Sequence, residues 1–465
     1  MIFGNASSRR LATFDRLIIV CCANPPYVND TDVMNKALHE LFGKPNEAER
    51  SGPLLAQYAW AKADDLKGRQ KQAIAERRGR FAIAFLWVNL PLPILFPRCR
   101  KADFRGIWIA LSSAILAVLM LLPSASGGAE SRGSLVKLLT EVAAADNVIV
   151  GQFVGHGIHG GSGYLSHVER PAKQWGRMAA LVGADYCMNA ERAPDLAAMN
   201  KALIQHEKRG GLVTVSCHSW NPAHAGAASA ANRKPNAMDL RQVDLWGLMD
   251  PGTDAGKNWL RELDRIADGL KVLDRAGVKV LWRPFHEMNG AGFWWCNVTS
   301  GPPKWTPGNP SDRKESFIAL WRHMHDYFTR VRGLDNLTWV YSTEGSANRQ
   351  YEKQAAGNAH KAPLYYYPGD DVVDIVGVDY YGEESNVPGL ADLRTLGKPV
   401  ALTEFGSGDP TVDYAARLGE IHRSNKGLVY ALFWDQKWSL TAHLGAQKLF
   451  QEPWVKSLSS SPPAW

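Results

Sequence analysis

The segment GVKVLWRPFHE, residues 277–287, has the pattern of a buried β-strand that ends in charged and polar side chains. Its apolar residues largely run together instead of alternating with polar ones, which is typical of a strand in a parallel sheet covered on both faces. Seven further segments have the same character: NVIVGQFVGH, WGRMAALVGADY, GLVTVSCHSWNP, NLTWVYST, VVDIVGVDYYG, KPVALTEFG and GLVYALFWDQKW. Eight such strands indicate a protein of the α/β class.

Amphipathic helical patterns lie between these strands. Trp259, Leu263 and Ile266 recur at helical spacing in one of them, and another begins at Phe317. Strict alternation of strands and helices predicts a closed (β/α)8 TIM barrel over residues 130–465. A doubly wound open sheet is the structural alternative, although no GxGxxG segment follows the first strand, which counts against a dinucleotide-binding fold.

Polar and aromatic residues gather where these strands end. They are His156, Asp185, His218, Arg283, His286, Glu287, Asp379, Tyr381, Glu404 and Trp434. The strand starts carry nothing comparable. Because the carboxyl ends of barrel strands meet at one rim, and functional sites lie there, we expect the site at this rim.

Two of these residues are carboxylates on strands that face each other across a barrel. Glu287 closes the fourth strand segment and Glu404 the seventh. A pair of carboxylates flanking one bond is the machinery of glycoside hydrolysis, with the groups ~5–5.5 Å apart in retaining enzymes. Arg283 lies four residues before Glu287, so in a continuous strand both would point into the mouth, where the cation would keep a carboxylate ionised. A structural ion pair is the alternative for all three.

The segments WRPFHEMNGAGFWW, TEFG and VDIVGVDYYG resemble glycoside hydrolase family 26, and the resemblance covers roughly residues 145–440. This family consists mostly of endo-acting β-mannanases. By matching motifs, Glu287 falls on the family's acid/base and Glu404 on its nucleophile. The resemblance implies a retaining hydrolase that cleaves internal β-1,4-mannosidic linkages of a polysaccharide and needs no metal or other cofactor.

Further residues are assigned by the same match. His218 and His286 resemble the family's substrate-contacting histidines, with a purely structural hydrogen bond as the alternative for each. Tyr381 matches the tyrosine that supports the nucleophile. Trp295 and Trp434 are predicted sugar platforms, since aromatic rings offer flat apolar faces, although burial in the core is the commoner fate of a tryptophan.

One position departs from the family pattern. Many members have an aromatic residue five positions after the acid/base, where this chain has Gly292. β-1,3-Xylan and mixed-linkage β-glucan therefore stay open as substrates. A non-catalytic protein that binds glycans or assists exopolysaccharide assembly is a third possibility, but such proteins typically lose one carboxylate and both are present here.

Charge and metal-binding patterns exclude other classes of protein. The net charge of +7 arises within residues 1–101, and residues 102–465 contain 37 basic and 37 acidic side chains. A nucleic-acid partner for the main domain is therefore not expected. No HExxH and no CxxC pair occurs, so no zinc site is predicted.

The N-terminal region has the features of a leader. Residues 107–122, IWIALSSAILAVLMLL, follow a basic segment and precede small residues, so residues 107–129 are expected to be a signal peptide cleaved after Ser126 or Ala129, or a membrane anchor. Residues 1–106 have two possible interpretations. They are a non-native extension that results from a start codon placed too early, or a membrane-associated N-terminal segment with a second apolar run. The expected location is secreted or periplasmic, with contact to a membrane only through an uncleaved 107–122.

Overall fold

The computed structural model describes six stretches of the chain, with side chains from residue 133 onward: 126–156, 160–186, 196–224, 243–296, 313–353 and 358–460. The interpretations of residues 1–106 and of the apolar run 107–122 therefore lie outside the described residues. Within these stretches, none of the helices has both the length and the apolar character needed to cross a membrane.

Eight parallel strands close into a barrel. The strands of the described chain, in order, are β1 Val148–His156, β2 Arg177–Ala179, β3 Leu181–Asp185, β4 Leu212–Ser216, β5 Val280–Arg283, β6 Leu337–Glu344, β7 Ile375–Tyr380, β8 Val400–Phe405, β9 Leu428–Phe433 and β10 Val455–Ser459. β1 and β3 to β9 pair in sequence order, and β9 returns to pair with β1. The TIM barrel prediction is confirmed, and the open sheet is wrong.

Helices follow the strands on the outside of this barrel. The α-helical segments are α1 Ser126–Ala144, α2 Gly160–Tyr164, α3 Arg170–Trp175, α4 Leu196–Lys208, α5 Leu245–Leu248, α6 Asp254–Arg275, α7 Lys314–Asp326, α8 Gly345–Glu352, α9 Leu390–Arg394, α10 Tyr414–Ser424 and α11 Ala446–Leu449. In α6 the hydroxyl of Thr253 caps the first turn by accepting from the backbone N–H of Gly256. Its predicted apolar stripe, from Trp259 to Leu273, is buried.

One end of the barrel is closed by α1. Apolar side chains of this helix pack in one cluster with residues near the starts of the strands: Leu135, Leu139, Val142, Ile149, Leu281, Ile375 and Val429. Beside it, β10 extends the sheet through Val148 and Val455, and β2 pairs antiparallel with β10. Sequence patterns did not predict β10, which is short and only partly buried, and β2 lies within the segment WGRMAALVGADY, in which a single strand was expected. The carboxyl ends of the strands lie at the opposite rim.

One local prediction is wrong. β5 ends at Arg283, so Glu287 does not continue the strand but lies in the turn that follows it. Phe285 and Glu287 adopt φ angles of 47° and 57°, in the left-handed region that non-glycine residues rarely occupy. Glu287 is within electrostatic reach of Arg283, and its position comes from this turn and not from strand alternation.

Candidate active site

Arg283 joins two acidic side chains at the carboxyl ends of the strands. Its side chain is buried, and its Nη1 donates a hydrogen bond of 2.8 Å to Oδ2 of Asp379, while Nη2 donates to Oε1 of Glu404. The other oxygen of Glu404, Oε2, accepts a hydrogen bond of 2.7 Å from the hydroxyl of Tyr381. Both oxygens of Glu404 are thus held by donors, which fixes the orientation of the carboxylate.

Asp379 anchors this arrangement from the neighbouring strand. In the register of β7 and β8 it lies opposite Glu404. Its second oxygen accepts a hydrogen bond of 2.7 Å from Ser342, whose hydroxyl lies 2.6 Å from that of Thr403. Since Asp379 is buried and bonded on both oxygens, it orients Arg283 rather than facing the mouth.

Opposing influences set the charge of Glu404. Burial and the negative charge of Asp379 raise the pKa of Glu404, whereas the cation of Arg283 and the hydrogen bonds from Tyr381 and Arg283 lower it. The balance of these effects leaves the pKa raised, at about 7. These donors all favour the ionised form of Glu404. When the site carries one negative charge in addition to that of Asp379, Glu404 is therefore the ionised group.

Glu287 is held through its backbone. Its N–H donates a hydrogen bond of 2.9 Å to the carbonyl of Ser342, and its own carbonyl accepts from the N–H of Gly290 at 2.9 Å and from Sγ of Cys296 at 3.2 Å. The left-handed φ of a non-glycine residue costs of order 1–3 kcal/mol and persists only where the surroundings impose it. These contacts impose it here.

The carboxyl group of Glu287 is in an environment that favours its protonated form. Burial raises its pKa well above the usual range, and the charges of Asp379, Glu404 and Glu344 raise it further, against the opposing effect of Arg283. Among the described residues, no hydrogen-bond donor contacts its oxygens. The two predicted catalytic carboxyl groups therefore differ, with Glu287 disposed to hold a proton and Glu404 to lose one.

The two predicted substrate histidines form a chain with Asp185. Nδ1 of His218 lies 2.7 Å from Oδ2 of Asp185, and Nε2 of His218 lies 3.0 Å from Nε2 of His286. Burial lowers the pKa of both imidazoles, so both rings are neutral near pH 7. A neutral His218 that donates to Asp185 must accept at Nε2, and His286 therefore donates to it.

With this assignment, His286 lies between the hydrogen-bonded pair of Asp185 and His218 and the carboxylate of Glu404. Its Nε2 lies 3.9 Å from Oε1 of Glu404, and its Nδ1 is buried with no hydrogen-bond partner among the described residues. Nε2 of His286 is thus near both His218 and Glu404.

The two predicted platforms have different positions. Trp434 follows β9, is 8% exposed and stacks on Phe153 with ring centroids 3.7 Å apart. Trp295 is 1% exposed, donates from Nε1 to the carbonyl of His286 at 2.8 Å and lies against Phe293 in a stacked pair. The position of Trp295 does not support a platform role. It instead supports the turn that carries Glu287.

Three residues at this rim were not predicted as site residues. Phe293 lies edge-on to His286, Trp438 is half-buried with its ring 5.6 Å from that of Tyr381, and Glu344 ends β6 within electrostatic reach of Glu287. Glu344 directly follows the predicted strand NLTWVYST, and Trp438 is the last residue of the predicted segment GLVYALFWDQKW, and these positions were the signal available in the sequence.

Two groups of described residues bring possible metal ligands together. One is His156, Asp185 and His218, and the other is His286, Asp379 and Glu404, with the ligand atoms of each within 4.8 Å of one another. In the first group His218 is already bonded to Asp185, and in the second Arg283 bonds both carboxylates. The donors thus fit a hydrogen-bonded network, in which the fixed cation is a guanidinium group.

A family of carbohydrate-active enzymes is known with this barrel and these motifs. Residues 126–459 match the model of glycosyl hydrolase family 26, and the chain therefore belongs to that family. It is a glycoside hydrolase.

Curated relatives and solved structures extend this result. A mannan endo-1,4-beta-mannosidase of Bacillus subtilis is 35% identical over 288 residues, which span 60% of this chain and 73% of the relative. A second, from B. subtilis strain 168, is 32% identical over 300 residues, 63% of this chain and 75% of its own. The structure of a B. subtilis mannanase has a TM-score of 0.57 and 28% identity, and the match covers 70% of this chain and 91% of that one.

Proposed function

We propose that the protein cleaves internal β-1,4-mannosidic linkages of mannans with net retention, with Glu287 as acid/base and Glu404 as nucleophile. The observation that carries the proposal is the contrast between the two carboxyl groups: Glu404 is held by donors on both oxygens, whereas Glu287 has a raised pKa and no donor among the described residues. The names of the two B. subtilis relatives support mannan as the substrate.

In the first step, the ionised Glu404 attacks the anomeric carbon. Glu287 donates its proton to the glycosidic oxygen, the bond between that oxygen and the anomeric carbon breaks, and the sugar on the leaving side departs. The product is a glycosyl ester on Glu404. Arg283 and Tyr381 orient the attacking carboxylate, so little of the barrier is spent on positioning it.

In the second step, water displaces the ester. Esterification removes the charge of Glu404, which is one of the causes of the raised pKa of Glu287, so this pKa falls and Glu287 can accept a proton. It takes a proton from water, the oxygen attacks the anomeric carbon, and the bond to Glu404 breaks. Two inversions leave the sugar with its original configuration.

The remaining mouth residues would bind the sugar chain. His286 lies beside Glu404, with its Nε2 3.9 Å from Oε1, and Trp434 lies next to His218 with 8% of its surface exposed, so both would border the bound sugar. His218 would act mainly through His286, because both of its ring nitrogens already have partners.

We also propose that the protein is exported and acts as a secreted or periplasmic enzyme. The signal-like residues 107–129 support export, and so does the disulfide bond of Cys217, since disulfides persist in oxidising compartments. N-terminal sequencing of the natively expressed protein tests this. A terminus between residues 127 and 130 is expected, whereas intact protein in the membrane fraction would favour the anchor.

The catalytic proposal is tested with the full chain on linear β-1,4-mannan, β-1,3-xylan and lichenan side by side, measuring reducing ends. We expect release from mannan, with the β-anomer formed first by NMR. Activity on xylan or lichenan alone would overturn the substrate, and initial formation of the α-anomer would overturn retention.

Azide rescue assigns the roles of the two carboxylates. With a dinitrophenyl β-mannoside, Glu287→Ala plus azide should give the β-glycosyl azide, because azide replaces water in the second step. Glu404→Ala plus azide should give the α-azide by direct displacement. Exchange of these two outcomes would reverse the assignment.

A further inference from the structure

The backbone beside Glu287 carries no side chain at one exposed position. A methyl group built on Gly292 would lie 4.0 Å from Oε2 of Glu287 and within 4 Å of no other atom of the described residues. Ala291, next to it, is exposed as well. Gly290 differs, because a methyl group there would lie 2.0 Å from Oε2 of Glu344.

Folding does not require glycine at position 292. Its backbone lies outside the left-handed region that favours glycine, and the described residues leave room for a side chain. A side chain at position 290 would displace the carboxyl group of Glu344, whereas at position 292 the described residues leave space where a larger residue could stand. The absence of a side chain at Gly292 therefore matters for which substrate groups can enter that space.

The chemistry of the site locates this space relative to the substrate. The nucleophile contacts the sugar that keeps the anomeric carbon, whereas the acid/base contacts the oxygen of the sugar that leaves. A space that opens onto Oε2 of Glu287 therefore borders the leaving sugar. Phe293, the next residue along the chain, is buried and stacked on Trp295, so its ring is held in place by packing.

We propose that Gly292 lets the enzyme accept, on the leaving side of the cleaved bond, a mannose unit that carries a sugar branch on O6. This inference rests on the proposed function, and it narrows the substrate to branched as well as linear mannans. An aromatic residue at position 292, as expected from the family pattern, would fill the space that the branch occupies.

The test compares the full-length wild type with Gly292→Trp and Gly292→Ala on linear β-1,4-mannan and on a galactomannan with α-1,6-linked galactose. We expect Gly292→Trp to lower the ratio of kcat/KM on branched to linear substrate by about tenfold or more, since filling a pocket by one group discriminates on this scale. Gly292→Ala should leave the ratio unchanged, because its methyl group has room.

Product analysis of the wild type provides a second readout that needs no variant. The leaving mannose becomes the non-reducing end of the released fragment, so galactomannan should yield fragments whose non-reducing terminal mannose is substituted. Their absence would overturn the inference, and so would an unchanged ratio in a folded Gly292→Trp that still cleaves linear mannan. Failure of the wild type to cleave linear mannan would instead overturn the proposed function, and this inference with it.

Discussion

The hydroxyl of Tyr381 lies 2.7 Å from Oε2 of Glu404 and donates a hydrogen bond to it. A bond to a carboxylate oxygen favours the ionised form of the group. Tyr381 therefore lowers a pKa that burial raises. Since its neighbour Tyr380 turns away to bond the carbonyl of Glu384, this role belongs to Tyr381 alone of the two.

Replacing Tyr381 with phenylalanine should raise the pKa of Glu404. The ionised nucleophile is then lost at a higher pH, so the acidic limb of the kcat/KM profile should move upward. A hydrogen bond to a charged group contributes ~1.5–3 kcal/mol, which corresponds to a decrease of about 10- to 100-fold in kcat/KM. Tyr164→Phe removes a similar buried hydroxyl far from the rim and serves as the control. An unmoved acidic limb would contradict the role.

Replacing Arg283 with methionine should destabilise the protein strongly. Asp379 and Glu404 would remain buried without their cation, and removal of one partner from such a cluster costs about 3–5 kcal/mol. Arg283→Lys keeps the charge but cannot bond both carboxylates at once. We expect a smaller loss of stability and a comparable loss of activity. Urea denaturation measures the first, and equal midpoints for both variants would count against the bridging role.

Replacing Trp295 with phenylalanine should lower kcat with little change in KM. The change removes the N–H that bonds the carbonyl of His286, inside the strained turn of Phe285 and Glu287, without removing an exposed face. Trp321→Phe is the matched control, since its Nε1 donates to the carbonyl of Val372 away from the site. A raised KM with unchanged kcat would instead restore the platform interpretation.

Replacing Glu344 with glutamine should lower the pKa of Glu287. Its negative charge disfavours ionisation of Glu287, so without it the acid loses its proton at a lower pH. The alkaline limb of the kcat/KM profile should then move downward, while the acidic limb changes little. Glu352→Gln, in a residue that bonds the N–H of Gly389, is the control. A limb that stays in place, or moves upward, would show that Glu344 does not act on the acid.

The barrel was predictable because its signal is repeated. Each buried parallel strand must be apolar on both faces, and eight such runs separated by helical patterns leave few architectures. The location of the site followed from the polar residues that close those runs, from His156 to Trp434. β10 escaped prediction because it is short and only partly buried, so it has no distinctive pattern, whereas β2 is a three-residue strand within WGRMAALVGADY, in which a single strand was expected.

Other features depend on contacts that a sequence does not display. The turn after Arg283 is left-handed at Glu287, and nothing in the residue types requires this conformation. Arg283 could be expected near a carboxylate, but its simultaneous bond to Asp379 depends on the register of β7 and β8. Trp295 and Trp434 are equivalent in sequence terms, yet Trp295 is 1% exposed and bonds the carbonyl of His286, whereas Trp434 is 8% exposed and stacks on Phe153.

The double-displacement route rests on a covalent bond to one side chain. Incubating the full chain with a 2-deoxy-2-fluoro β-mannosyl fluoride should trap the glycosyl ester, because the fluorine at C2 slows both its formation and its hydrolysis, while the good fluoride leaving group restores the rate of formation alone. Peptide mass spectrometry should then find the added sugar on Glu404, and no adduct in Glu404→Ala. An adduct on any other residue, or turnover with inversion and no adduct, would contradict the account.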